Sequence, residues 1–161
     1  MLAKIESSSV VGTDAYCVEV EVDVSNGLPA FNIVGLPDTA IQEAKERVRA
    51  GIINSEYEFP LKRITVNLAP ADIRKEGPAF DLPMAVGILT ATNQISTEKV
   101  NDYFIVGELS LNGNVRRING VLSIAFFAAN SLKKGVIVPE ENANEAALIK
   151  NIEVVPVKRL K

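Results

Sequence analysis

Chemistry in this chain would have to come from a short menu. Histidine is absent and cysteine occurs once, at Cys17. Nucleophile systems that need an imidazole base are therefore excluded, and a zinc or other transition-metal site has almost no ligands. Carboxylates, lysines and tyrosines remain for acid–base work. Three carboxylates, Asp72, Glu76 and Asp81, gather in sequence around the turn Gly77-Pro78. They could hold a metal or act as an acid/base pair. Equally, Asp81 could cap the helix that follows while the other two stand in solvent. A turn entering a helix often presents a reactive side chain, but the residue after Gly77-Pro78 is Ala79, which can do none of this. Cys17 shares strand parity with Glu19, facing away from a row of valines, and reads as a plain surface or edge cysteine.

Charge offers a second kind of chemistry. The 161 residues carry 17 Lys and Arg against 20 Asp and Glu, a net charge of −3. That balance argues against bulk attraction to nucleic acid or an anionic membrane, but not against a local basic patch. Ten of the 17 basic residues fall in doublets: Lys62-Arg63, Arg74-Lys75, Arg116-Arg117, Lys133-Lys134 and Lys158-Arg159. Converging doublets would bind phosphate, and dispersed ones are ordinary surface charge. No aromatic residue is interleaved with them, so a base-stacking platform is not indicated. A phosphate-binding G-x-x-x-x-G-K-[ST] loop is absent, which argues against NTPase activity in these residues.

The elements that must position these groups follow from periodicity. Val18, Val20, Val22 and Val24 alternate with Glu19, Glu21 and Asp23, which predicts a half-buried strand over 15–24. Residues 4–11 are its antiparallel partner across Gly12-Thr13-Asp14, and 31–36 form a third strand. A helix follows, capped by Asp38 or Thr39, with Gln42 three residues after Thr39 as in a capping box. Its apolar stripe is Ile41, Ala44, Val48 and Ile52, and Glu43 can pair with Arg47. The helix is expected to end near Asn54. A strand over 62–70 turns Ile64, Val66 and Leu68 inward. Residues 81–94 and 120–132 are helices, apolar nearly all round. A strand over 103–109, a turn over 111–114 and a short strand over 115–118 lie between them. A buried strand over 135–139, a short helix over 141–149 and a last strand over 152–157 complete a mixed α/β sheet with helices packed on it. Residues 1–161 read as a single domain. The hydrophobic share is 47%. No apolar run reaches the roughly 18 residues that span a membrane. The N-terminal residues carry no secretion-signal pattern. With one cysteine, a reduced cytoplasmic setting is expected.

Four stretches carry a resemblance: SNGLPAFNIVGLPD, RVRAGIINSEYEFPLKRITVNLAPAD, KEGPAFDLPMAVGIL and VGELSLNGNVRRINGVL. Together they closely resemble the N-terminal domain of the magnesium-chelatase-like AAA+ ATPases related to the ComM and YifB competence proteins. The second half is also similar to the proteolytic domain of Lon, in which Gly-Pro-Ser supplies the nucleophile and a later helix the lysine. Matching the turns puts Ala79 at the serine position and Ile124 at the lysine position, so both members of the dyad are missing.

The resemblance implies a fold of the Lon proteolytic-domain type, the type of domain two of ribosomal small-subunit protein five. It implies an AAA+ ATPase module beyond residue 161 that binds ATP and Mg2+, with no cofactor in this domain. It further implies a cytoplasmic, hexameric homo-oligomer acting on DNA in recombination and natural transformation, with no membrane partner. This domain would supply DNA contacts, ring assembly or both. Lys62, Arg63, Arg74, Lys75, Arg116 and Arg117 are the expected DNA contacts. The alternative is a pseudo-protease that binds proteins or oligomerises, because the apolar helices over 82–91 and 121–132 could exceed what one domain covers. A peptidase with a displaced nucleophile, Ser110 or Ser123, is the third reading.

Overall fold

The computed structural model describes residues 1–161. In chain order the elements are β1 (Leu2–Val11), β2 (Asp14–Ser25), β3 (Ala30–Val34), α1 (Thr39–Asn54), β4 (Arg63–Ala69), α2 (Asp81–Ala91), β5 (Tyr103–Ile105), β6 (Glu108–Leu109), β7 (Val115–Arg116), α3 (Val121–Ala129), β8 (Gly135–Pro139), α4 (Ala143–Ala146) and β9 (Glu153–Val157).

The first sheet has the order β1-β2-β4-β3. The β1–β2 hairpin pairs Leu2 with Asp23 and Val11 with Asp14. β4 runs antiparallel to β2 and parallel to β3. The alternation in β2 does what its pattern predicts. Val18, Val20, Val22 and Val24 are buried, while Lys4 of β1 reaches Glu19 and Glu21 on the other face at 3.7 and 4.0 Å. A second sheet, β5-β8-β9, is all parallel, and β6 pairs with β7 in a two-stranded piece. The fold is thus mixed α/β, as the sequence predicts.

α1 is capped by Asp38, whose Oδ1 accepts from the Ile41 N–H at 2.8 Å. The capping box expected at Thr39 does not form. Gln42 turns instead to the Ile33 carbonyl of β3, at 3.4 Å. α1 lays Ile41, Ala44, Val48 and Ile52 into the core, and it ends at Asn54. α2 is sandwiched between the sheet and α1, which explains an apolar surface on every side. Nine of its eleven residues are buried, so it leaves no surplus apolar face for a partner.

Several expected elements are shorter or broken: the helix over 81–94 ends at Ala91, the strand over 115–118 ends at Arg116, and the last helix is only Ala143–Ala146. The strand expected over 103–109 stops at Ile105: Val106 N–H still donates to Ile137 O at 3.1 Å, and the chain leaves the sheet at Gly107. There Gly107 N–H donates to Ala79 O at 2.9 Å. A Cβ on Gly107 would lie 2.8 Å from Val115 Cγ1, so only glycine lets β6, β7 and α2 meet this closely. α3 ends at Ala129 and not at Leu132, and Asn130 caps it. Unlike α2, α3 is covered on one side only. Val121, Ile124, Ala125 and Ala128 are buried, while Leu122, Phe126 and, just past the helix, Leu132 are exposed.

Candidate functional site

The turn before α2 is held from several directions. Gly77 has φ +84°, a left-handed backbone that favours glycine. Its N–H donates to Asp38 Oδ2 at 3.0 Å, so one aspartate caps α1 and fixes this turn together. The segment before it is clamped to the loop after β3. Lys75 N–H donates to Leu36 O, and Asp38 N–H donates to Lys75 O, both at 3.0 Å. The Lys75 side chain is fully buried and directs its ammonium to Gly35 O, at 2.9 Å, and to Pro70 O. Burial pushes its pKa down, and Asp72 opposes that shift in part.

Asp81 does not cap α2 with its side chain, contrary to one reading of the sequence. It is fully buried and accepts from Arg47 Nε at 2.6 Å, Arg47 Nη2 at 3.1 Å and Leu109 N–H at 3.0 Å. Burial pushes its carboxyl up to about 6, against the pull of Arg47 and the Leu109 N–H. The Asp81 hydrogen bond raises Arg47 in turn. Asp72 and Glu76 are exposed, and Glu76 pairs with Arg74 at 3.6 Å. The three carboxylates therefore do not meet as a metal site or an acid/base pair.

Across from this turn stands the segment leading into α3. Buried Asn142 takes both main-chain groups of Ile118, accepting its N–H and donating to its carbonyl, each at 2.9 Å. Gly120, at φ +86°, then turns the chain into α3. Between the two turns and the tip of the β1–β2 hairpin lies a cavity of about 530 Å³. Ala79 and Ile124 both line it. Of the other groups there, Ser9, Glu76, Glu108, Arg117 and Asn119 have polar side chains, and none is hydrogen-bonded to another as a nucleophile and base would be. Ser110 engages its hydroxyl with Asn112 and Asn114 within the 111–114 turn, and Ser123 sits half-buried on α3. Cys17 is half-buried, and burial and Glu19 push its thiol pKa up, away from reactivity.

The six basic residues expected to contact DNA do not converge on one patch. Arg63 starts β4 opposite Ser25, at the end of β2 remote from the hairpin tip, and Lys62 precedes it. Arg74 is exposed beside Glu76, and Lys75 is removed from the set by its burial. Arg117 lines the cavity of Ala79 and Ile124. Arg116 points elsewhere, into a second cleft of about 430 Å³ that it shares with Lys158, Arg159, Glu140 and Glu141. The Lys158-Arg159 doublet thus meets Arg116 across a sequence gap that gives no hint of it.

Residues 20–142 match the family described as subunit ChlI of Mg-chelatase. The chain is 45% identical over 148 residues to the competence protein ComM of Haemophilus influenzae, covering 92% of this chain and 29% of that protein. Protein YifB of Escherichia coli is also 45% identical over 148 residues, with the same coverage. A Lon protease of Brucella suis is 31% identical over 137 residues, 80% of this chain and 17% of the protease. The chain therefore spans less than a third of the length of each of these relatives.

Proposed function

The chain belongs to the family of subunit ChlI of Mg-chelatase, and on that premise we propose that it is a non-catalytic domain of a longer AAA+ ATPase acting on DNA in competence and recombination. The fold type is that of the Lon proteolytic domain, at the N-terminus of a cytoplasmic protein. ATP and Mg2+ bind to an ATPase module outside residues 1–161, and that module is the domain's permanent partner. The domain's own task is contact between proteins that helps subunits close into a hexamer. One observation carries the reading. Ala79 and Ile124, the positions that resemble a protease dyad, line the same cavity, and neither can attack a carbonyl or carry a proton. The walls of a catalytic site stand without its chemistry. The exposed Leu122 and Phe126 on α3, with Leu132 just past its end, support the assembly role.

The test is the full-length protein with Leu122→Glu and Phe126→Glu, followed by light scattering in the presence of ATP. Loss of the hexamer with an unchanged circular-dichroism melt is the expected result. A hexamer that survives both charges removes α3 from the assembly. DNA contact is the second reading, and the convergence of Arg116, Lys158 and Arg159 on one cleft favours it.

A further inference from the structure

We propose that the cavity between the Gly77-Pro78 turn and α3 binds an extended segment of another protein and holds it uncut. The proposal rests on the reading of this cavity as a protease-like site without its dyad. The observation that points to a ligand is a short row of unpaired main-chain groups. Arg117 and Asn119 both line the cavity. Their N–H and C=O groups make no hydrogen bond within the protein. Ile118 between them is spoken for on both counts by Asn142. The peptide units on either side of Ile118 are planar and trans, so with its N–H and C=O turned to Asn142 the Arg117 C=O and the Asn119 N–H point the other way. One acceptor and one donor flanking a residue are the pair to which an added strand can bond.

The rest of the cavity narrows the class of ligand. Its floor includes Ala79 and Ile124, which suit a small or branched apolar side chain projecting from the added strand. Glu76 and Glu108 stand there with Arg117 as the one cation, so a phosphate backbone is disfavoured. Arg117 and Glu108 take part in no ion pair within 4.0 Å, which leaves both free for residues flanking the central one. The proton-transfer and nucleophilic groups needed to cut the segment are not paired there, so binding ends in retention.

The experiment uses capped heptapeptides of sequence Gly-Ser-Val-X-Val-Ser-Gly, with X as Ala, Val, Leu, Lys or Glu. They are titrated into the 15N-labelled 161-residue chain. With X as Ala or Val, the amide of Asn119 is expected to shift and to slow its hydrogen exchange about tenfold. The peptide should be recovered intact. Ala79→Trp fills the floor and should abolish both effects. Asn119→Pro, which deletes the donor, should do the same, while Arg117→Ala keeps its main-chain acceptor and should retain protection. Absence of shifts with every peptide at millimolar concentration overturns the proposal, as do shifts that persist in both Ala79→Trp and Asn119→Pro. Recovery of cleaved peptide overturns instead the reading of the cavity as non-catalytic.

Discussion

Arg47 and Asp81 lie 34 residues apart in sequence, and Arg47 Nε meets Asp81 Oδ2 at 2.6 Å. The pair ties the middle of α1 to the first residue of α2, next to Gly77-Pro78-Ala79. Through the Leu109 N–H it reaches β6 as well. Three elements around the cavity are thus registered by one carboxylate. Breaking such a pair from one side leaves the other charge without its partner. Asp81→Ala is expected to cost about 3–5 kcal/mol in urea unfolding. A cost below about 1 kcal/mol would show that water replaces the carboxylate.

The same carboxylate sets a pH dependence. Its folded pKa of about 6 lies above the ordinary value of 3.8. Asp81 therefore takes a proton more readily folded than unfolded. Its contribution to stability is complete below the ordinary value and lost as pH rises through about 6. Asp81→Asn keeps an acceptor for Arg47 and Leu109 but does not titrate. Over this window the wild type should fall relative to Asp81→Asn by up to about 3 kcal/mol. Parallel stability curves for the two proteins would refute the assignment.

Lys75 reverses the expectation that its charge and loop position create. Its ammonium satisfies Gly35 O and Pro70 O in the interior and never reaches solvent. Lys75→Ala should destabilise the protein by about 2–4 kcal/mol through the cavity and the orphaned carbonyls. Measured below the melting transition, DNA affinity should not change. A salt-sensitive loss of DNA affinity with full stability would return Lys75 to the surface.

What is legible in the sequence divides by range. The valines of β2 and the stripe of α1 are readable because periods of two and 3.6 residues are local facts. The break at Gly107 is not, since the reason for it is the approach of Val115 and Leu82 from elsewhere in the chain. Arg47 pairs in sequence with Glu43, its neighbour at i,i+4, and that ion pair exists at 3.9 Å. The shorter bond to Asp81 depends on how α1 and α2 pack, which no local pattern encodes. Lys75 misleads for the same reason: a lysine in a polar loop reads as solvated until the loop is seen to fold over it. The turn glycines and Ala79 are placed by resemblance, and the structure adds that Ala79 and Ile124 share a cavity.

Gly87 offers a test of packing. It lies in α2 where a Cβ would meet Val22 Cγ2 at 2.5 Å and Val22 Cβ at 3.3 Å. Alanine is the better helix former by about 1 kcal/mol, so propensity alone predicts that Gly87→Ala stabilises. Overpacking against β2 costs about 1–3 kcal/mol and should win. Adding Val22→Ala removes the obstructing methyls. The double mutant should then show a coupling of at least about 0.5 kcal/mol in the direction of rescue. Strict additivity would mean that the helix shifts to make room.

DNA binding separates the two readings of the domain's task. Phosphate contact by Arg116, Lys158 and Arg159 would act from one cleft, whereas Lys62 and Arg63 lie at the far end of β2. Glu140 and Glu141 share the cleft, and Lys158 already sits 3.6 Å from Glu140. Any attraction is therefore a local surplus of one charge, weak and strongly screened. Anisotropy of labelled single-stranded, duplex and branched DNA should be followed from low to physiological salt. If the cleft binds, Arg116→Glu with Arg159→Glu should lower affinity and flatten the salt dependence by about one unit of slope for each phosphate no longer neutralised. Lys62→Glu with Arg63→Glu should leave both nearly unchanged. Binding that no charge reversal alters, or no binding at low salt, would remove residues 1–161 as the source of DNA contact. The domain would then act through α3 and its cavity alone.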